Sequence, residues 1–378
     1  MKIRGLLPIL LLFSVFLYSE SPIVKFAEPS TWRYTGMGGA ITAVPEGLDT
    51  LIHNPAGLTQ RLFYPRKSFV LNFSTQLYFK PQFLFPILKD ISNVENKLGQ
   101  ILLNAKELIT SSGLGATPNI AFGYIGGNWG VGLFTTASAF VQGKPFPLGV
   151  EGFAMVNLTL PVAYSLKIVE GREVDISLGT TFHPSVAFYK MLDGSNVDAV
   201  VAGRSSLNDI LDGIVSTPYV SFPVDLGMML VGYDLLYPGT QLRLGTSLKN
   251  LFGDYFVPGQ SLEPLTRELS FTLGIGALFP LSIGRIPVDI VLSGESKAMN
   301  QLLSGSQTIL KSLAFGLEVA VANVIRFWAG LSSGYPTIGG QLSLGNFSFG
   351  VSWQTMESGR YVGDNPLSIF HVGFSFDF

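Results

Sequence analysis

Gly330-Leu331-Ser332-Ser333-Gly334 has the G-x-S-x-G spacing that presents a serine nucleophile when it turns from a strand into a helix. Here Tyr335-Pro336 and another alternating run follow, so the stretch reads as a Gly/Ser hairpin. His53, His183 and His371 are the only histidines, and they fall on separate elements without ligand spacing. With no cysteine there is no thiolate site and no thiol nucleophile. Gly36-x-Gly38-Gly39 echoes a dinucleotide loop, but no strand precedes it and Ile41 stands where the third glycine belongs. The sequence therefore predicts no enzyme, no cofactor and no metal. Its remaining chemistry lies in cations on the polar phase of alternating runs: Arg243 and Lys249 between leucines, and Arg326 with Trp328 between apolar neighbours. Either arginine can pair with a ligand carboxylate. Each can equally be held by an acid such as Asp225, Glu295 or Glu318.

Composition says what kind of element carries these groups. Charged residues make up 13% of the 378, against about 25% in a soluble domain, and Gly at 43 is above the usual share of about 7%. After the N-terminus no run of about 18 uncharged apolar residues occurs, so a spanning helix is excluded. A net charge of -2 without a basic stripe excludes a nucleic-acid footprint.

From Ser68 onward the dominant period is two. Val156, Leu158, Leu160, Val162, Tyr164, Leu166 and Ile168 share one face, against Asn157, Thr159, Ser165 and Lys167. The alternation predicts strands near 68–79, 118–126, 128–142, 154–168, 174–184, 219–231 and 240–250. Seven more fall near 268–279, 287–297, 312–322, 324–333, 336–345, 347–355 and 367–378. Fourteen strands with alternating short and long links predict an all-β, antiparallel transmembrane barrel with both termini on the short-link, periplasmic side. A large soluble two-sheet sandwich is the alternative. The last strand decides between them, because Phe370, Val372, Phe374, Phe376 and Phe378 would be an aggregation-prone stripe in water but face lipid in a barrel. A terminal strand ending in Phe also resembles the signal by which outer-membrane proteins engage the barrel-assembly machinery. Two long outside links carry helical spacing, one from Ile87 to Leu108 and a shorter one from Leu207 to Ile214. The first 20 residues read as a signal peptide, with Lys2 and Arg4 before an apolar run to Tyr18.

Between leader and barrel lies "TGMGGAITAVPEGLDTLIHNPAGL", Thr35 to Leu58. Its Gly36-to-Ala43 stretch and its Asn54-Pro55-Ala56-Gly57-Leu58 resemble the N-terminal signature of the FadL-type outer-membrane transporters of long-chain fatty acids and other hydrophobic compounds. That resemblance implies that residues 21–66 form a hatch folded into the lumen of a fourteen-stranded barrel, 67–378, in the outer membrane. It also implies that Asn54, Pro55 and Ala56 take part in gating. Physically, Gly36, Gly38, Gly39 and Gly57 permit close approach to a wall and unusual dihedrals, while Pro55 stiffens a bend. "IRFWAGLSSGYPTIGGQLSLGNFSFGVSW" is more similar to the branch that includes PorV-type partners of secretion systems. Two functions follow as expectations. One is a hatch-gated channel for fatty acids or other hydrophobic ligands, with Arg243, Arg326 and Trp328 as anchors. The other is a barrel that docks or scaffolds secreted proteins.

Overall fold

The computed structural model describes residues 28–60, 67–79, 114–144, 149–192, 217–259, 265–303, 305, 308–357, 362–363 and 366–378. The expected leader and the two helices expected in the outside links lie outside them.

The strands are β1 (Lys67–Phe79), β2 (Leu114–Gly126), β3 (Trp129–Lys144), β4 (Gly149–Thr159), β5 (Val162–Glu170), β6 (Val174–Phe182), β7 (Ser185–Leu192), β8 (Pro218–Ser221) and β9 (Val224–Tyr233). They continue with β10 (Gln241–Leu251), β11 (Ser270–Ile283), β12 (Ile286–Ser296), β13 (Leu313–Val321), β14 (Ile325–Ser332), β15 (Tyr335–Leu344), β16 (Phe347–Glu357) and β17 (Pro366–Asp377). In three cases two of these form one stave: β4 with β5, β6 with β7, and β8 with β9, because each pair shares its neighbours. The wall is thus a closed barrel of fourteen antiparallel staves, sealed where β17 pairs β1 from Val70↔Asp377 to Phe79↔Ser368. Closure leaves no unpaired sheet edge, the condition for a sheet to span hydrocarbon. The alternation places Leu158 outward, 43% exposed, and its neighbour Asn157 inward, 2% exposed. An apolar exterior around a closed sheet is the architecture of the outer membrane. At one end the links are short, as at 127–128, 171–173, 284–285, 322–324 and 345–346. The other end carries the longer links, except 145–148 and the two-residue turn 333–334, while 234–240 is the longest at the short-link end.

One level of the wall is irregular. Pro161, Pro184 and Pro223 fall side by side on three neighbouring staves. There Gly132 N donates to Pro161 O, Leu160 N to Pro184 O and His183 N to Pro223 O, each at 2.9 Å. A proline has no N–H to return, so each of these rungs keeps one bond of two. β10 breaks next to this row, between Leu251 and a bridge from Phe256 to Val220 on β8. The expected strand 174–184 in fact continues past Pro184 to Leu192, and the expected strand 154–168 is interrupted after Thr159. On the lipid side Phe182, Phe222 and Phe256 bridge the seam, with ring centroids 6.3 and 6.2 Å apart.

Candidate functional site

Residues 29–60 run along the inward faces of the staves through α1 (Trp32–Gly36), α2 (Asp49–Ile52) and a 3-10 turn, Pro55–Thr59. Thr31 caps α1, its hydroxyl accepting from Tyr34 N at 3.1 Å, and Asn54 caps the 3-10 turn by accepting from Ala56 N at 3.1 Å. Nearly every residue of the segment is buried. The wall receives it through glycines that oppose each other on adjacent strands. Trp32 lies over Gly350 and its partner Gly373, Met37 over Gly316 and Gly330, and Thr42-Ala43 over Gly245 and Gly274. The Asn54-Pro55-Ala56 turn lies over Gly179 and Gly227, and Leu48 with Leu51 over Gly123 and Gly132. A Cβ on Gly227 would stand 2.1 Å from Asn54 Oδ1, and one on Gly245 2.4 Å from Thr42 O. Two glycines facing each other remove both side chains at one rung, so the backbone of the segment comes within contact of the wall.

A buried ionic cluster joins the segment to β13 and β14. The Arg33 guanidinium reaches Glu318 at 2.8 Å and Asp49 at 3.2 Å, while Arg326 reaches Glu46 at 3.1 Å and Glu318 at 3.3 Å. Each partner thus contributes one cation to an acid of the other. Two guanidiniums face three carboxyls, which leaves room for a proton. Burial pushes the Asp49 carboxyl up to about 6, against the pull of Arg33, and shifts Glu46 in the same direction. Elsewhere Glu295 accepts from Ile41 N and Thr42 N at 3.0 and 2.9 Å, and Lys297 Nζ donates to Gly38 O at 2.7 Å. Tyr34 stacks on His53 at 4.4 Å between ring centroids, with Lys297 5.3 Å from the tyrosine ring.

The residues singled out in the sequence occupy two sides of this contact. Gly36 packs on Trp328, where a Cβ would meet the indole at 3.1 Å, and Gly38, at φ 64°, lies against the Leu331 carbonyl. Gly39 takes φ 79° beside Lys297, and Gly57 packs on Pro45. Across the lumen, Asn54 Nδ2 donates to Thr42 O at 2.8 Å and to Met228 O at 3.4 Å, tying the turn both to the segment's other arm and to β9. Arg326 and Trp328 are buried against the segment, and Arg243 Nη1 donates to Gln60 O at 3.3 Å. Of the three acids weighed as partners for the arginines, Glu318 holds Arg326, Glu295 holds backbone, and Asp225 holds His183 at 2.9 Å. The Gly330–Gly334 stretch spans the β14–β15 hairpin, without the helix a nucleophile elbow needs. Sequence reasoning missed Glu46, Asp49 and Lys297, whose only signal is a charge inside an otherwise apolar, glycine-rich run or at a strand end.

It also missed a second region. Nearer the long-link end, Tyr78, Phe153, Met155, Ala187, Leu367 and Ile369 point inward and meet Tyr255 in one apolar cluster. Barrel interiors are ordinarily polar. Next to it lies a small recess, with Thr159, His183, Asp225, Lys249 and Arg267 among its walls and Glu28 and Ile52 from the N-terminal segment.

No family model and no curated protein sequence matches the chain. Among solved structures it is similar to the Pseudomonas putida toluene transporter TodX, at 13% identity and TM-score 0.47, over 93% of this chain and 98% of that one. The Ralstonia pickettii toluene transporter TbuX aligns at 12% identity and TM-score 0.45, over 93% and 98%. The CymD monoaromatic hydrocarbon channel aligns at 12% identity and TM-score 0.47, over 92% and 96%.

Proposed function

We propose that the protein is an outer-membrane channel for the uptake of hydrophobic molecules, long-chain fatty acids among them, with residues 29–60 as its hatch. One observation carries this: inward apolar side chains meet in a cluster toward the long-link end, beyond the buried segment 29–60. Transferring an apolar molecule among such side chains is favourable by about 0.8 kcal/mol per methylene, so capture needs no chemistry. Passage then requires the segment to move. Its attachments are of a kind that can exchange: ion pairs, single hydrogen bonds and van der Waals contact on bare glycine backbone. Arg243, Arg326 and Trp328 act in this reading on the hatch, with a ligand carboxylate competing for the arginines.

The test is uptake of a fluorescent fatty acid by reconstituted vesicles, comparing the natural chain with Asn54→Ala. The variant loses the bonds to Thr42 O, Met228 O and Ala56 N, a loss of about 1–3 kcal/mol for buried groups. We expect a folded, heat-modifiable barrel with altered uptake. Vesicles carrying the natural protein that take up no more than empty ones would overturn the channel. Co-purification of a secreted protein with such an inactive barrel would replace it with docking.

A further inference from the structure

Among the described residues of the apolar lumen cluster, Tyr255 is a fully buried member that no regular strand holds, with Leu265 packed beside it. It sits on a two-residue piece beyond the break in β10, bridged by Phe256 to Val220 and by its own backbone to Leu265. Its ring is 1% exposed, and its hydroxyl donates to Asn157 Oδ1 at 3.2 Å. Arg267 lies 5.6 Å from the ring centroid on the side of the open recess, whose walls include Thr159, two residues from Asn157. The phenol therefore lies between a packed apolar cluster and a small recess whose walls carry charged groups.

The backbone that aims it is strained. Phe252, three residues before Tyr255, adopts φ 58° and is 84% exposed, so a bulky aromatic occupies left-handed space without burying its side chain. Such an outlier persists only where something downstream compensates for it. Here the turn is held on one side by Gly253 N donating to Asn250 O at 3.2 Å and Ser221 Oγ to Gly253 O at 2.7 Å, and on the other by the seating of Tyr255 and Val257.

We infer that Tyr255 occupies a cargo seat, and that the cargo is a neutral molecule bearing a ring of phenol size and one hydrogen-bond donor. The inference rests on the channel reading and narrows it. The apolar wall accepts the ring, Asn157 accepts the donor, and the recess beyond is balanced in charge, with Lys249 and Arg267 against Asp225 and Glu28. That balance gives the seat no preference for an anion. Entry of cargo swings Tyr255 out and releases Phe252 from its left-handed conformation.

Binding of p-cresol and toluene to the purified full-length barrel, by titration calorimetry, tests this. Tyr255→Ala empties the seat and should tighten saturable p-cresol binding at least tenfold, at one molecule per barrel. p-Cresol should be favoured over toluene, and adding Asn157→Leu should remove that preference. Phe252→Gly has the opposite sign, because glycine tolerates the left-handed conformation and so stabilises the seated tyrosine; p-cresol affinity should fall at least threefold. This second variant leaves Tyr255 intact and decides the matter if Tyr255→Ala does not assemble. Affinities unchanged in a folded Tyr255→Ala and in Phe252→Gly overturn the seat. So does binding of toluene that oleate displaces, with no binding of p-cresol. Uptake by the natural chain in vesicles is measured alongside, so that a working channel with indifferent variants sinks the seat alone, and an inactive natural chain sinks the channel.

Discussion

The guanidinium of Arg33 lies 2.8 Å from the carboxylate of Glu318, with the Glu318 side chain out of contact with solvent and that of Arg33 only 7% exposed. A residue near the start of the chain is thereby tied to the middle of a membrane strand. Removing one partner of a buried pair strands the other, at a cost of about 3–5 kcal/mol. Glu318→Gln should therefore lower amide-exchange protection across residues 33–44 while the strand ladders keep theirs. Equal protection in the variant would show that the glycine contacts alone hold the segment.

The same cluster predicts a pH dependence. The Asp49 carboxyl stands at about 6 in place of its ordinary 3.8, so the docked segment binds the proton more tightly than the released one. Its contribution to docking is complete below 3.8, declines as pH rises to 6, and is absent above; the span is worth up to about 3 kcal/mol. Exchange protection of residues 31–49 should fall between pH 4 and 6 and then level off. Asp49→Asn should remove most of that slope, and a slope that survives unchanged places the proton on another group.

Wall glycines can be tested one methyl at a time. Gly179→Ala would bring a Cβ to 2.4 Å from the Ala56 N and Pro55 C atoms, and Gly227→Ala to 2.1 Å from Asn54 Oδ1. Overpacking of this kind costs about 1–3 kcal/mol per site. Each should raise ion conductance in planar bilayers by loosening the turn. Gly294→Ala, whose nearest neighbour is Phe315 at 3.4 Å, should leave conductance as it is. Matching conductance in all three would dissociate the glycine pairs from docking.

Lysine at Leu158, Leu160 or Val162, all outward and 43–46% exposed, should impair assembly by about 2–4 kcal/mol near the bilayer midplane. Lysine at the inward Asn157 or Thr159 should be tolerated better in a heat-modifiability assay. Equal tolerance on both faces would contradict the register observed along β4 and β5.

The barrel was legible because lipid and lumen impose a period of two that local reading detects. Leu158 and Asn157 differ by one position and face opposite solvents, and the same holds around the wall. The seam was not legible, since Pro161, Pro184 and Pro223 are separated by 22 residues or more and become neighbours only through pairing. Gly245 and Gly274 likewise look like unrelated glycines until register makes them partners. The inward phase of Arg243 and Arg326 could be read from alternation, but not their engagement with Gln60 and Glu46, which depends on the path of the N-terminal segment. Tyr255 carried no signal at all, because it lies beyond a break that ends the alternation.

The row of half-bonded rungs divides the barrel, over three adjacent staves, into two stacked hoops joined by a thinned ladder. A tube so built does not flex uniformly. When the surrounding bilayer thins or its lateral pressure rises, bending concentrates at the weakest circumferential line, here between Thr159 and Val162 and alongside them. The phenylalanines outside that line fill the joint from the lipid side, so the joint stays dry while it bends. A change in bilayer thickness is thus expected to bend the wall at this line before it bends it elsewhere.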